Sequence, residues 1–148
     1  MEYATPVWSP HLQKDILLIE KVQRRFTKRI PGFFNHSYAS RRNELKLDTL
    51  ELRRLHTDLI FCYKMINGFV DVNADDFVTM SHNSHLRGHS QKLVVPKSRL
   101  DCRKCSFSNR VVPIWNALPQ GVIESNTLSG FKHGILAVDF SPFLRFRD

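Results

Sequence analysis

The chain has 148 residues and a mass of 17.3 kDa, with 42% apolar and 24% charged residues, enough for one ordinary domain with a core. Its net charge of +8 and pI near 9.8 favour an anionic partner, nucleic acid above all. Three cysteines, an odd number, argue against a disulfide scaffold, and no apolar run approaches the roughly 20 residues that span a bilayer. No membrane partner is therefore expected. The reading is of an intracellular protein, cytoplasmic or nuclear, with no targeting segment.

The opening MEYATPVWSP carries aromatic and proline residues of the kind that sit inside a fold, so the chain is expected to start partway through something larger. Ser9-Pro10 is a helix-start pair, with Ser9 as N-cap and Pro10 where its missing N–H costs nothing. From there Leu12, Ile16, Ile19, Val22, Phe26 and Ile30 recur at spacings of three and four. At about 100° per residue they share an arc of roughly 120°, which predicts an amphipathic helix with this stripe as its buried face. Lys14, Lys21, Arg24, Arg25, Lys28 and Arg29 fall opposite, diluted only by Asp15 and Glu20, and Pro31-Gly32 ends the helix. Several cations on one rigid face suit phosphate neutralisation, because each contact releases condensed counterions and the effects accumulate. A solvated helix face is the plainer reading of the same residues.

Ser37 caps a short predicted helix through Leu45. Thr49 opens a second long one, LELRRLHTDLIFCYKMING, with Leu52, Leu55, Leu59, Cys62 and Ile66 as its buried stripe and Gly68 at the C-terminal cap. Arg53 and Arg54 keep this helix basic. Asn73 caps a short acidic turn, Ala74 to Phe77. The stretch TMSHNSHLRGHSQK has no periodicity and reads as loop, and KLVVP reads as a short edge strand. Helical signal returns in SNRVVPIWNALP, with Ser108 as N-cap and Pro113 kinking the helix or delaying its start. Thr127 or Asn126 caps a last helix in which Leu128, Phe131, Ile135 and Leu136 share a face. The ending DFSPFLRFRD shows no clear structure.

Chemistry-bearing sets are sparse. Cys102-x₂-Cys105 has the spacing of a zinc half-site, but His82, His85 and His89 precede it in an order unlike the common finger. The cysteines therefore read as free thiols beside a polar loop, and neither metal nor cofactor is expected. Asp75-Asp76 reads as a helix start rather than a metal-binding pair. No nucleophile elbow, phosphate-cradling glycine loop or supported Cys/His pair is present, so no catalytic residue is assigned.

Three collinear blocks carry a resemblance. EYATPVWSPHLQKDILLIEKVQRRFTKRIPG resembles the segment closing the polymerase region of jockey-like non-LTR (LINE-type) retrotransposon reverse transcriptases. The likeness runs through Glu2, Tyr3, Val7, Trp8, Ser9, Pro10, Asp15, Ile16, Glu20, Val22, Gln23, Arg24 and Arg25. LELRRLHTDLIFCYKMING is similar to the family's next helix at Leu50, Glu51, Arg53, Arg54, Asp58, Leu59, Tyr63, Lys64 and Gly68. FSNRVVPIWNALP is similar to its C-terminal motif at Phe107, Ser108, Arg110, Val111, Trp115, Asn116, Leu118 and Pro119, and SGFKHGI to its closing helix at Phe131 and Lys132.

The resemblance implies the thumb and post-thumb segment of an RNA-directed DNA polymerase, whose helices grip a template–primer duplex. It implies Lys21, Arg24, Arg25, Lys28 and Arg29, then Arg53 and Arg54, as contacts to an RNA–DNA or other nucleic-acid duplex. The palm's aromatic-x-Asp-Asp hairpin, the fingers and an endonuclease are absent, so no polymerase activity is expected from the chain alone. Its further partners would be the palm and fingers of a full-length parent. Met1 stands where the family has Leu, which reads as an open reading frame begun inside a truncated element.

The fold expected is mainly α: a thumb-like helical segment over 1–68, a loop-rich connector over 69–106, a helical unit over 107–136 and a divergent tail over 137–148. Trp8 and Trp115 are expected as core anchors rather than base-stacking platforms. A stand-alone nucleic-acid binder, a protein-interaction module and a translated transposon relic without function remain open alternatives.

Overall fold

The computed structural model describes residues 3–81 and 88–146, with the backbone alone for Asp101 and Cys102. The described residues form α-helices, two short 3-10 turns and no named β-strand, so the fold is mainly α. In chain order the helices are α1 (Gln13–Lys28), α2 (Tyr38–Leu45), α3 (Leu50–Ile66), the single turn α4 (Asp101–Lys104), α5 (Phe107–Ala117), the single turn α6 (Gln120–Ile123) and α7 (Leu128–Leu136). The 3-10 turns are Ala74–Asp76 and Ser141–Phe143.

Local capping chemistry sets most of the boundaries. The side chains of Ser37, Thr49 and Thr127 accept from the backbone N–H of Ser40, Leu52 and Gly130, and Asn73 accepts from Asp75. α3 ends in a Schellman turn: Gly68 sits at φ +68°, its N–H donates to Met65 O (3.2 Å), and Phe69 N–H donates to Lys64 O (2.8 Å). α2 ends the same way without a glycine, with Lys46 at φ +52° and Leu47 N–H on Arg42 O at 2.9 Å.

Two starts differ from the sequence reading. α1 begins at Gln13, with Leu12 rather than Ser9 at the N-cap and no side-chain cap. α5 begins with Ser106 as N-cap, two residues before Ser108, and carries Pro113 inside it. Starting there directs Phe107 inward, edge-on to Phe61 at 5.6 Å, while Asn109 reaches back to Ser106 Oγ (3.0 Å) and Arg103 O (2.7 Å).

α3 is the central element and packs against α1, α5 and α7. Leu55, Leu59, Cys62 and Tyr63 from α3 meet Val111, Val112 and Trp115 from α5 and Phe131 and Ile135 from α7 in one apolar core. Tyr63 stacks on Phe131 at 4.3 Å, and Phe131 in turn lies 5.8 Å from Trp115. Each fully buried side chain of this size contributes about 1.5–3 kcal/mol.

The connector is partly tied to this core. Met80 and Leu93 form an isolated antiparallel bridge, short of the expected strand. Asn116 clamps Leu93 from both sides, its Oδ1 accepting from Leu93 N and its Nδ2 donating to Leu93 O, each at 2.8 Å. The closing stretch, unstructured by sequence, also docks. Phe140 and Phe146 are buried, and the Arg145 and Phe146 N–H groups donate to the Glu51 carboxylate.

The orientation of α1 reverses the sequence reading. Of the stripe Leu12, Ile16, Ile19, Val22, Phe26 and Ile30, only Ile16 is buried, while Val22 is 50% and Phe26 68% exposed. Glu20 and Thr27 are buried instead, with Gln23 half-buried between them. These residues recur at i, i+4, i+7 and i+11 from Ile16, one continuous helix face. The reason lies in what that face meets. The first amide of α3 and the Tyr38 hydroxyl both need acceptors there, and a buried donor without one costs about 1–3 kcal/mol.

Candidate nucleic-acid interface

α1 is fastened by polar groups. Tyr38 Oη donates to Glu20 Oε1 at 2.5 Å and Leu50 N–H donates to Glu20 Oε2 at 2.9 Å. Gln23 Nε2 donates to Asp48 O (2.9 Å) and to Tyr38 Oη (3.1 Å). Arg41 is buried and donates to Thr27 Oγ1 (3.2 Å), to Arg24 O (3.3 Å) and to His36 O. Burial, reinforced by the adjacent Glu20, pushes the Tyr38 hydroxyl well above the tyrosine range, so it stays a donor at any ordinary pH. Ile16, Tyr38 and Phe146 supply the small apolar cluster beneath.

With that face turned inward, Lys14, Lys21, Arg24, Arg25, Lys28 and Arg29 are all exposed. Two of them lean on aromatic rings: the Arg24 guanidinium lies 4.9 Å from the Tyr38 ring centroid, and Lys28 Nζ lies 4.9 Å from that of Phe34. Such contacts hold the charges in place without neutralising them. Arg25, Lys28 and Arg29 line a shallow open concavity with Ile30, Pro31, Gly32 and Phe34, where Gly32 at φ +88° turns the chain back over the helix end. Phe34 is the residue the sequence reading missed. It is exposed beside three cations, and the signal was the Phe33-Phe34 pair that follows the Pro31-Gly32 stop.

The other two expected contacts stand differently. Arg53 is half-buried on α3. Arg54 is only 2% exposed and faces Asp58, so from its position it reaches no external phosphate. Helical periodicity alone could not place it: Arg54 falls well outside the α3 stripe, and it is buried because α3 packs against α1, α5 and α7 on more than one side. Glu20, read by sequence as diluting the cationic face, is instead 1% exposed and subtracts nothing from it.

A second cleft of about 260 Å³ runs between the start of α1, α3, α5 and the closing stretch, lined among others by Arg54, Asp58, Arg110 and Arg145. Its polar groups serve the fold. Arg110 donates to Asp58 Oδ2 (3.0 Å), Cys105 O (2.9 Å) and Thr5 O (3.3 Å), and Arg145 donates to His11 O. Burial pushes the Asp58 carboxyl up from 3.8 to about 6, against the opposing pull of Arg110 and Arg54. Burial likewise pushes the Cys62 thiol up to about 12, leaving it inert as a nucleophile at neutral pH.

Of the zinc candidates, His82, His85 and the Cys102 side chain lie outside the described residues. His89 is buried, with Nε2 3.0 Å from Trp115 O, and Cys105 is a half-buried free thiol. Among the described residues no three His, Cys, Asp or Glu side chains converge on a metal position. Trp115 is fully buried and donates through Nε1 to Gln91 O (2.9 Å), a core anchor as expected. Trp8 is not: it is 40% exposed and donates to Tyr3 O (2.8 Å). No described helix is long and apolar enough to cross a membrane. No protein-family model, characterised protein or solved structure matches the chain.

Proposed function

We propose that the chain is a nucleic-acid-gripping helical segment, the thumb and post-thumb part of a non-LTR retrotransposon reverse transcriptase separated from its catalytic palm. The single observation that carries the binding role is the exposed cationic face of α1, with Lys21, Arg24, Arg25 and Lys28 side by side on a helix held by buried polar contacts. A helix so fixed presents its charges at constant spacing, which suits the regular phosphate backbone of a duplex. Lys and Arg donors at that constant spacing match the phosphate oxygens of the backbone, and contacts to the backbone position the chain rather than read sequence. The polymerase parentage rests on the three collinear sequence blocks. In that reading the chain is intracellular, binds template–primer duplex, and performs no phosphoryl transfer by itself.

The test is binding of a fluorescent RNA–DNA hybrid over a salt series, comparing wild type with a Lys21→Gln, Arg25→Gln, Lys28→Gln triple variant. The wild type should bind with affinity that falls steeply as salt rises. The variant's slope should be shallower by about 0.9 for each phosphate it no longer neutralises, hence by roughly 2 to 3 for three such phosphates. Equal, weak binding by both proteins would reduce the face to solvated surface. A double-stranded DNA probe run alongside tells whether the grip distinguishes duplex type.

A further inference from the structure

Because α1 turns a polar face inward, apolar side chains are left on the outside: Val22 and Phe26 of the expected stripe are 50% and 68% exposed, and Leu18 beside it is 62% exposed. Single exposed apolar residues are ordinary, but three at i, i+4 and i+8 form a continuous ridge along the helix. Two charges complete the pattern. Asp15, Val22 and Arg29 recur every seven residues, a spacing that drifts only about 20° per step on a straight helix. They therefore lie on one line, with the acid near the helix start, the base at its end and Val22 midway. Asp15 and Arg29 thus belong to the apolar ridge and not to the opposite cationic face on which the sequence reading set them. Leu18 and Phe26 sit four residues to either side of Val22. Among the described residues neither Asp15 nor Arg29 takes part in an ion pair.

This arrangement is complementary to itself. Place a second α1 antiparallel on the first, with a twofold axis through Val22. Val22 then meets its own copy, Leu18 meets Phe26 of the other chain, and Asp15 meets Arg29 of the other chain, twice by symmetry. Antiparallel packing also sets each helix N-terminus beside a C-terminus, the favourable order for their dipoles. We propose that the exposed face of α1 is a homodimer interface, in which a second copy of this chain covers Leu18, Val22 and Phe26 and pairs Asp15 with Arg29. An interface of this kind is isologous, the commonest closed arrangement.

Charge argues for a second copy over the other candidate occupants. On the ridge line Asp15 and Arg29 cancel, so an anionic surface gains no net attraction there while a second copy satisfies both charges, and nucleic acid gains nothing from burying Phe26. Arg25 borders the ridge, about 60° from Val22, but Lys21, Arg24 and Lys28, the other cations proposed for phosphate contact, lie elsewhere on the wheel, roughly 100° or more from Val22. A dimer leaves them uncovered and presents two such faces outward. The area is modest. A helix of 16 residues is about 24 Å long, and one helix pair buries less than the roughly 800 Å² per partner of a standard stable interface. The dimer is therefore weak, on the order of micromolar, and concentration-dependent. The inference does not depend on the polymerase reading, and the triple variant of the binding test leaves Asp15 and Arg29 in place, so each can fail without the other.

The experiment is sedimentation equilibrium of the full chain at physiological salt over a wide concentration range, with Asp15→Arg, Arg29→Asp, the double swap Asp15→Arg/Arg29→Asp, and Phe26→Glu. Circular dichroism confirms that each variant keeps its helix content. Wild type should dimerise reversibly. Each single charge variant should weaken the dimer at least tenfold, because two ion pairs become two like-charge pairs. The double swap should return to within about threefold of wild type, an outcome that only antiparallel pairing of residue 15 with residue 29 gives. An equimolar mixture of the two single variants should recover a dimer that neither forms alone. A wild type that stays monomeric at the highest concentrations overturns the proposal. So does a dimer insensitive to Phe26→Glu, or a double swap that stays as weak as its parents. A monomer that instead binds anionic vesicles through the same ridge overturns it in favour of a membrane surface.

Discussion

Replacing Glu20 tests the central structural finding about α1. In the folded chain its carboxylate accepts from the Tyr38 hydroxyl at 2.5 Å and from the first amide of α3 at 2.9 Å, with 1% of the residue exposed. A hydrogen bond to a charged group is worth about 1.5–3 kcal/mol, and a donor left buried without a partner costs about 1–3 kcal/mol. Glu20→Ala strands both donors and is expected to destabilise the chain by about 3–4 kcal/mol. Glu20→Gln keeps the shape and one good acceptor, so about 1–2 kcal/mol should be lost.

Had the helix buried the stripe its sequence suggests, Glu20 would stand in water and either change would fall within about 0.5 kcal/mol. The two cases differ several-fold, well beyond the error of urea unfolding followed by circular dichroism. A double-mutant cycle with Tyr38→Phe isolates the shared bond and should give a coupling of about 1–2 kcal/mol. An alanine variant as stable as wild type, or a coupling near zero, would refute the inward orientation. Loss of the Glu20 hydrogen bonds would also loosen α1 from α3, so duplex affinity should weaken although every cation is retained.

Two further predictions concern pH and backbone. Asp58 is buried, and its folded value of about 6 lies above the ordinary 3.8, so the native state holds the proton more tightly than the unfolded chain. Its contribution to stability is complete below pH 3.8 and is lost as pH rises through about 6. Between pH 4 and 7 the stability of wild type relative to Asp58→Asn should fall by about 2 kcal/mol, read from urea midpoints; an advantage that grows with pH would mean the Arg110 ion pair outweighs burial. Lys46 holds φ +52° at the end of α2, where a side chain costs about 1–2 kcal/mol and glycine gains most of that back against its greater freedom when unfolded. Lys46→Gly should therefore stabilise by about 0.5 kcal/mol, and a lower unfolding midpoint would contradict the left-handed turn.

Where chemistry is local, the sequence alone determined the structure. The caps at Ser37, Thr49, Asn73 and Thr127 act within three residues of themselves, and Gly68 stops α3 by its own freedom at positive φ. The mainly α fold, the α3 stripe of Leu55, Leu59 and Cys62, and the cations of α1 were legible for the same reason, since periodicity and composition need no neighbour to be seen. Which face of α1 turns inward was decided only by the tertiary structure. Apolar spacing reports that a helix is amphipathic, but the first amide of α3 and the Tyr38 hydroxyl, 30 and 18 residues away, demanded a buried carboxylate and drew Glu20 inward. Arg54 beside Asp58, and the closing stretch on Glu51, are of the same kind. Each is a polar group whose position depends on a partner that the chain brings near only by folding.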